Sequence, residues 1–415
     1  MNRFSRIKLF LRRVNTAKTY WFSYLINEYL FTDWAPVKGP IKRLTVIKLD
    51  NAGDVVLSSL FMPYIAERFK DINIVYVVKE GMKDLLSPLD CISDVLEVPF
   101  GRGHCSEAQG EMTNNERFAR SMIKKHLKEF RPQMIIDLRA TSIGNFTALA
   151  AWLLGTRYRV TLDLYRIKEI IGNKTEKEAK WDRHEAETFY LALRDAGIFP
   201  DYHDYRNALS FWTPPGNSSQ DISCGWFVLE KERVILIQPG AVWEYKRWPD
   251  SYYIHLINSM TEQTGKVLFI LIGTRDEKDI CLKVYNGLDK PARDRTINMA
   301  GETSLRELIV LINRAELVIA NDSGVAHIAG ALDVDTVVFF GPSAPSRFAP
   351  LSLHQDKIKV FHHTMECCPC DQLKCRHAGN NYCLSHISPE AVENYLADKF
   401  YKKLNERKRP EDITV

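Results

Sequence analysis

Short apolar runs that end on small polar residues recur along the chain and predict strands that lead directly into helices. The clearest run, residues 317–320, ends on Asn-Asp-Ser-Gly at 321–324 and is followed by helically spaced apolar residues over 325–332. Residues 44–49 form a similar run that ends on Asp-Asn-Ala-Gly-Asp at 50–54. Such a turn into a helix N-terminus predicts an anion site, because free N–H groups and the helix dipole favour a phosphate.

The same alternation continues along most of the chain and predicts its fold class. We expect strands at residues 44–49, 72–78, 95–98, 134–138, 234–237, 267–272, 317–319 and 336–340. We expect helices at residues 55–69, 123–130, 251–264, 305–313, 325–332 and 389–405. Alternating strands and helices indicate an α/β protein with doubly wound parallel sheets.

A polar stretch with two prolines, residues 213–223, is the predicted linker between two Rossmann-like domains. The expected organisation is a basic amphipathic segment at 1–40, an N-terminal domain at 41–215 and a C-terminal domain at 216–388. The last helix, within 389–415, is expected to cross back to the N-terminal domain. Two such domains predict a ligand site in the cleft that they face.

Composition and charge narrow the class of protein. The chain has 415 residues, 45% of them apolar, and a net charge of +4, which is too weak a basic bias to indicate nucleic-acid binding. No apolar run is long enough for a transmembrane helix and no secretory signal is evident, so we expect a cytoplasmic protein. The first 20 residues carry six Lys and Arg and no acid. They are expected to form either a helix in peripheral contact with an anionic membrane surface or a helix packed on its own domain.

Four segments in this order resemble glycosyltransferase family 9, the ADP-heptose:lipopolysaccharide heptosyltransferase type. They are Lys-Leu-Asp-Asn-Ala-Gly-Asp-Val-Val-Leu at 48–57, Gln-Pro-Gly-Ala-Val-Trp-Glu-Tyr-Lys-Arg-Trp-Pro at 238–249, Ile-Gly-Thr-Arg-Asp-Glu at 272–277, and Met-Ala-Gly-Glu-Thr-Ser-Leu at 299–305 with its continuation through 321–324, His327 and 340–343. The resemblance implies a GT-B fold of two Rossmann-like domains and an inverting sugar transfer. It also implies a nucleotide-sugar donor bound mainly by the C-terminal domain.

The resemblance makes Asp54 the candidate catalytic base. An inverting transferase needs a carboxylate that takes a proton from the acceptor hydroxyl while the sugar leaves its diphosphate. The family assigns this role to the aspartate of the Gly-Asp pair, here Gly53-Asp54, and Asn51 and Gly53 are the further acceptor-binding candidates. The alternative is that Asp54 only caps a helix.

The donor-binding candidates lie in the other segments. Lys246 is the expected leaving-group cation, because a positive charge stabilises the departing phosphate. A carboxylate of Asp276 or Glu277 would bond ribose hydroxyls, and the sequence does not distinguish the two. Trp248-Pro249 is expected to fix the loop and start a helix. The full set of donor-binding candidates is Gly240, Lys246, Arg247, Asp276, Glu277, Thr303, Asp322, Ser323, Gly324 and His327.

Metal sites are expected only in a structural role. Asp333-Val334-Asp335 resembles the Asp-x-Asp metal motif of other glycosyltransferases, but it precedes a strand and so lies at the opposite sheet edge from the ligand turns. Catalysis is therefore expected to need no metal or other cofactor. Cys367, Cys370, Cys375 and Cys383 have a spacing that suits a structural zinc or iron, and the alternative is reduced thiols, or an adventitious disulfide, in a surface loop.

The predicted function is transfer of a heptose from ADP-heptose to a lipopolysaccharide-core or other lipid-linked saccharide, at the inner face of the cytoplasmic membrane. Alternatives are a different nucleotide-sugar donor, a polysaccharide or protein acceptor, or a nucleotide-sugar epimerase of GT-B architecture. A non-catalytic saccharide-binding protein is disfavoured, because binding alone would need neither Asp54 nor Lys246.

Overall fold

The computed structural model describes residues 37–100, 114–138, 150, 153–161, 183–213, 233–264, 267–370, 375 and 382–401. The predicted segment 1–40 and the predicted linker 213–223 lie almost wholly outside these residues. Contacts divide the described part of the chain into two compact units. The first holds the residues up to Asp50 and Phe61–Ser210, and the second holds Asn51–Leu60 and the residues from Phe211 onwards.

The first unit is a parallel α/β layer. Its strands are β1 Arg43–Ile47, β2 Asn73–Lys79, β3 Asp94–Val98, β4 Met134–Asp137 and β5 Tyr158–Thr161, in the order β3-β2-β1-β4-β5. Helix α1 (Ala52–Ser59) follows β1 but belongs to the second unit, and the first unit's helices are α2 Met62–Arg68, α3 Asn114–Phe130 and α4 Glu185–Asp195. The inner residues of β2 are all buried, as expected for a parallel strand covered on both faces.

The second unit repeats this architecture. Its strands are β6 Arg233–Gln238, β7 Val267–Leu271, β8 Thr296–Asn298, β9 Leu317–Asn321, β10 Thr336–Phe340 and β11 Ile358–His362, in the order β11-β10-β9-β6-β7-β8. Its further helices are α5 Asp250–Gln263, α6 Lys278–Gly287, α7 Lys290–Arg293, α8 Leu305–Arg314, α9 Gly324–Ala331, α10 Pro345–Phe348, α11 Tyr382–Ser385 and α12 Pro389–Leu396. All registers between these strands are parallel.

The strand order of each sheet reverses direction at one interior point. In the first sheet the reversal lies between β1 and β4, and in the second it lies between β6 and β9. Parallel sheets bind ligands at the carboxyl ends of the strands on either side of such a point. The turns that follow β1, β6 and β9 are the segments that the sequence patterns identified, so the fold places them where ligands bind.

One predicted helix is divided in two. The helix expected at 55–69 is α1 followed by α2, with Pro63 in the first turn of α2. Proline has no N–H to donate and its ring opposes the carbonyl four residues earlier, so it interrupts the regular hydrogen bonding of a continuous helix at this position.

The C-terminal helix packs on the second unit. Val392 and Leu396 of α12 and Phe400 of the following π turn, Ala397–Tyr401, are buried in the same core as Trp248. The indole Nε1 of Trp248 donates to the Ile387 carbonyl at 2.9 Å, which ties the segment before α12 to that core. The expected crossing of residues 389–415 to the first domain stays a prediction. None of the helices in the described residues is both long and apolar enough to span a membrane.

Candidate functional site

The turn after β9 forms the centre of the candidate site in the second unit. Asp322 and Ser323 follow the strand, and Ser323 occupies the N-cap of α9 with extended backbone. The Ser323 hydroxyl donates to Gln238 Oε1 at 2.5 Å, so the turn after β9 is joined to the last residue of β6. The predicted anion-binding turn and the start of segment 238–249, which carries Lys246, therefore lie side by side.

Lys246 forms an ion pair with Asp322. Its Nζ lies 2.7 Å from Asp322 Oδ2, and the two side chains are 25% and 8% exposed. Lys246 ends the short 3₁₀ turn Glu244–Lys246, and Arg247 Nε donates to the Ala241 carbonyl at 3.0 Å. The predicted leaving-group cation is thus brought to the predicted anion site, and Arg247 braces the loop that carries it.

Glu277 and the adjacent Asp276 have different surroundings. Glu277 is buried, and its Oε2 accepts from the Thr274 N–H at 2.7 Å in a capping box. A Cβ at Gly240 would stand 2.6 Å from Glu277 Oε1, so only glycine lets this loop lie so close to the carboxylate. Asp276 is exposed. The Thr-x-x-Glu spacing at 274–277 is a readable start signal for the 3₁₀ turn Arg275–Glu277 that leads into α6, and it was not among the predicted features.

The turn that contains Thr303 borders the same region. Its Gly301 N–H donates to the Gly273 carbonyl at 2.8 Å, which joins the segments after β7 and β8. Thr303 is half-buried and precedes Ser304, whose side chain caps α8.

The N-termini of α1 and α9 meet at two glycines. A Cβ at Gly53 would stand 2.5 Å from the Cδ2 atom of His327, and a Cβ at Gly324 would stand 2.8 Å from the Ala52 Cβ. His327 itself is buried, at 7% exposure. Asp54 lies in the first turn of α1 and is partly buried. The close approach, which needs both glycines, therefore places the helix of Asp54 against the helix of His327.

Lys48 is a buried cation that the sequence patterns did not identify as a candidate. It is buried at 1% exposure at the end of β1, in the first unit. Its Nζ lies 2.7 Å from Asp50 Oδ2, donates to the Leu138 carbonyl at 2.7 Å and stands 4.7 Å from the Phe189 ring centre. Lys48 therefore joins the turn after β1 to the turn after β4. A lysine that ends an otherwise apolar strand was the available signal.

The Asp-x-Asp segment lies between α9 and β10, at the amino end of that strand, and Asp333 has a left-handed backbone with φ of 57°. The Asp333 carboxylate accepts from the Ser352 hydroxyl at 2.7 Å and the His354 N–H at 2.9 Å, and pairs with Lys357 Nζ at 2.6 Å. Burial opposes ionisation of Asp333, but these hydrogen bonds outweigh it and hold its pKa well below the ordinary value. This aspartate therefore anchors residues 352–357.

Replacing Asp333 with Asn is expected to cost about 2 kcal/mol of stability at pH 7, because hydrogen bonds to a charged group are lost while Asn still tolerates the left-handed backbone. A carboxylate whose pKa is lower in the native than in the unfolded protein stabilises the native state above the unfolded value near 4. This stabilisation is lost as the pH falls below that value. The difference between wild type and Asp333→Asn, measured by urea unfolding, should thus shrink between pH 7 and pH 3. Activity should be unchanged, whereas a loss restored by Mn²⁺ would reassign the segment to metal binding.

The cysteine-rich segment packs against the turn after β10. Cys370 N–H donates to the Pro342 carbonyl at 2.8 Å, and Cys368 Sγ lies 3.6 Å from the Gly341 carbonyl oxygen. Burial and the neighbouring thiols Cys383 and Cys367 raise the pKa of Cys368 to about 12. Burial also raises the pKa of Cys383.

The predicted structural metal has no support in the described part of the chain. There, no three or more His, Cys, Asp or Glu side chains are grouped as a metal ion would require. Cys368, Cys370, Cys375 and Cys383 are all free thiols. The nearby His377 lies outside the described residues. The sequence spacing of the four predicted ligands therefore does not translate into a ligand group in these residues.

Part of the chain matches a known family, and most of it is similar to curated proteins. Residues 199–379 match the model of glycosyltransferase family 9 (heptosyltransferase). Lipopolysaccharide heptosyltransferase 2 of Salmonella typhimurium is 24% identical over 318 residues, which cover 75% of this chain and 86% of that protein.

Solved structures show the same fold. The ADP-heptose lipopolysaccharide heptosyltransferase II of E. coli aligns with a TM-score of 0.62 at 20% identity, over 87% of this chain and 99% of that one. A family 9 glycosyl transferase from Veillonella parvula aligns with a TM-score of 0.65 at 18% identity, over 88% of this chain and 98% of that one. The predicted GT-B class is confirmed by these alignments. The family match over residues 199–379 and the curated relatives together indicate a glycosyltransferase.

Proposed function

We propose that the protein transfers a heptose from ADP-heptose to a lipid-linked saccharide of the lipopolysaccharide-core type, with inversion at the sugar carbon. The relatives that match over about three quarters of this chain are lipopolysaccharide heptosyltransferases. The single observation that carries the proposal is the Lys246–Asp322 pair at the N-terminus of α9, since it joins a cation to a helix end suited to a diphosphate.

The donor's diphosphate is assigned to the N-terminus of α9. Its free N–H groups and Ser323 would hold the phosphate oxygens, and Lys246 would stabilise the negative charge that develops as ADP leaves. Asp322 would keep Lys246 in place and, with His327, would contact the sugar. Arg247, which braces the loop, and Gly324, which lets α1 approach, complete this part of the proposed donor site.

The adenosine part is assigned to the turns after β6, β7 and β8. Of the two acids that the sequence left open, Glu277 is the better candidate for the ribose hydroxyls. The capping box holds its carboxylate in place, and the carboxylate lies directly against Gly240, in the turn after β6. Thr303, in the turn joined to Gly273, is the proposed nucleobase contact.

Asp54 is the proposed general base. The glycine-mediated contact between α1 and α9 brings its helix to the helix that would hold the donor. In the reaction the Asp54 carboxylate would accept the proton of the acceptor hydroxyl as that oxygen bonds to the sugar carbon. The bond from that carbon to the diphosphate oxygen breaks on the opposite face. Asn51 and Gly53, in the same turn, are the proposed acceptor contacts.

A lipid-linked acceptor would place this enzyme at the cytoplasmic face of a membrane. The basic segment at residues 1–40 supports a peripheral contact there, because clustered Lys and Arg are attracted to anionic lipid headgroups.

The experiment that tests the donor is thermal unfolding of the full chain with ADP, ADP-heptose, UDP-sugars and GDP-sugars. A ligand at a hundred times its Kd should stabilise the protein by about 2.7 kcal/mol. ADP and ADP-heptose should protect, and ADP release from ADP-heptose should depend on an added saccharide acceptor. Protection by UDP-sugars alone, with interconversion that needs no acceptor, would replace the proposal with the epimerase alternative.

A further inference from the structure

Asn321 is a fully buried amide at the centre of the donor-side turns. It is the last residue of β9 and has 0% exposure. Its Nδ2 donates to the carbonyls of Pro239 and Gly240, each at 3.0 Å. Its Oδ1 accepts from the Trp248 N–H at 2.8 Å. One side chain therefore binds both ends of the loop at residues 239–248.

The loop depends on this amide because its backbone has left the sheet. Residues 239 and 240 follow β6, so their carbonyls no longer have strand partners to bond, and buried carbonyls need a donor. An amide supplies two N–H donors and an acceptor at once. An aspartate of the same shape has no donor when ionised, and would place a charge against the two carbonyls.

The residues next to Asn321 in the chain bind the same loop, which carries the proposed catalytic cation Lys246. Asp322 pairs with Lys246, and Ser323 bonds Gln238, so three consecutive residues hold the loop from one side. Trp248, whose N–H is bound, is 1% exposed and stacks on Phe339 with ring centres 4.3 Å apart. Lys246 thus lies on a short span between two fixed points.

We infer that Asn321 is a positioning residue for the donor: it holds the 239–248 loop in the one conformation that presents Lys246 to the N-terminus of α9. Preorganisation of this kind lowers the cost of binding, because the loop does not have to be ordered when the donor arrives. The inference rests on the proposed donor site, but its first test needs no substrate.

That test is limited trypsin digestion of Asn321→Asp, with the cut sites mapped by mass spectrometry. The loop carries the trypsin sites Lys246–Arg247 and Arg247–Trp248. Cleavage at these two bonds should be at least about tenfold faster than in wild type, because exposure to the protease requires local opening. Cleavage elsewhere should be unchanged. Asn321→Ser, which is neutral and keeps one hydroxyl, covers the case in which the aspartate variant does not fold.

Thr336→Val is the matched control. Thr336 is 1% exposed in the same unit, and its hydroxyl donates to the Val334 carbonyl at 2.8 Å, at the amino end of β10. The Thr336→Val substitution removes one buried hydrogen bond but lies away from the donor turns. The digestion pattern and the donor KM of this variant should therefore equal those of wild type.

Kinetics distinguish positioning from general stability. The Asn321 variants should raise the donor KM at least about tenfold and leave the acceptor KM unchanged. Wild-type cleavage at Arg247–Trp248 together with an unchanged donor KM in a folded Asn321 variant would overturn the inference. Absence of ADP protection in wild type would instead overturn the proposed function and leave the digestion result standing.

Discussion

Asp54→Asn is expected to lower kcat by about 10²–10⁴-fold, because the variant keeps the shape of the side chain but removes the group that accepts the acceptor's proton. Asp54 is in the first turn of α1, and its carboxylate also interacts favourably with the helix dipole, an effect worth only about 0.3–1 kcal/mol. Folding and protection by ADP should therefore be nearly unchanged. The measurement is kcat from acceptor-dependent ADP release, together with thermal unfolding with and without ADP.

The control for Asp54→Asn is Asp279→Asn. Asp279 is an exposed acid in the first turn of α6, so it shares the favourable position near a helix N-terminus but lies outside the proposed site. Both variants should lose a similar, small amount of stability, and only Asp54→Asn should lose turnover. Retained turnover in Asp54→Asn would refute the base assignment and leave helix capping as its role.

Lys246→Met should lower kcat/KM for the donor by about 10²–10³-fold, because the leaving diphosphate loses the cation that stabilises its charge. The substitution also leaves Asp322, with its side chain 8% exposed, without its partner at 2.7 Å. Removing one member of a largely buried pair destabilises a protein. Lys246→Met should therefore lower both Tm and donor affinity.

The double variant Lys246→Met/Asp322→Asn separates these two effects. Neutralising Asp322 should recover part of the lost Tm but none of the lost kcat/KM. Lys278→Met is the single-site control, since Lys278 forms an exposed pair with Glu302 at 2.6 Å and surface pairs contribute little. If Lys246→Met kept wild-type kcat/KM for the donor, the proposed leaving-group role would be wrong.

The central strands were predictable because burial on both faces requires unbroken apolar runs. The strand predicted at 336–340 coincides with β10, in which every residue is buried. The strands that were not predicted, β5, β8 and β11, lie at sheet edges. In β11 only Ile358 is fully buried, and Lys359 and His362 interrupt the apolar pattern. A strand covered on fewer sides needs fewer apolar residues, so its signal in the sequence is weaker.

The turns of the candidate site were also predictable, but their connections were not. Strand-to-turn-to-helix patterns identified residues 50–54 and 321–324, because turn and capping residues interrupt apolar runs at those points. Nothing in the spacing of Asn321 or Lys48 indicated partners, since each bonds backbone from a different part of the chain. Hydrogen bonds between distant segments produce no periodic pattern of residue types in the sequence. The metal predicted from cysteine spacing has no support among the described residues, because spacing along a loop does not decide which side chains converge.

The sequence by itself determined the α/β class, the places where strands give way to ligand turns, and the resemblance to a known family, because each depends on residue type and order along the chain. Only the tertiary structure showed that Gly53 and Gly324 are there to let α1 and α9 touch, that Glu277 lies beneath Gly240, and that Asn321 binds both ends of the Lys246 loop. These facts depend on contacts between segments up to some 270 residues apart, as from Gly53 to His327. Packing decides such contacts, because a close approach or a buried hydrogen bond is set by the space that remains once both sheets have formed.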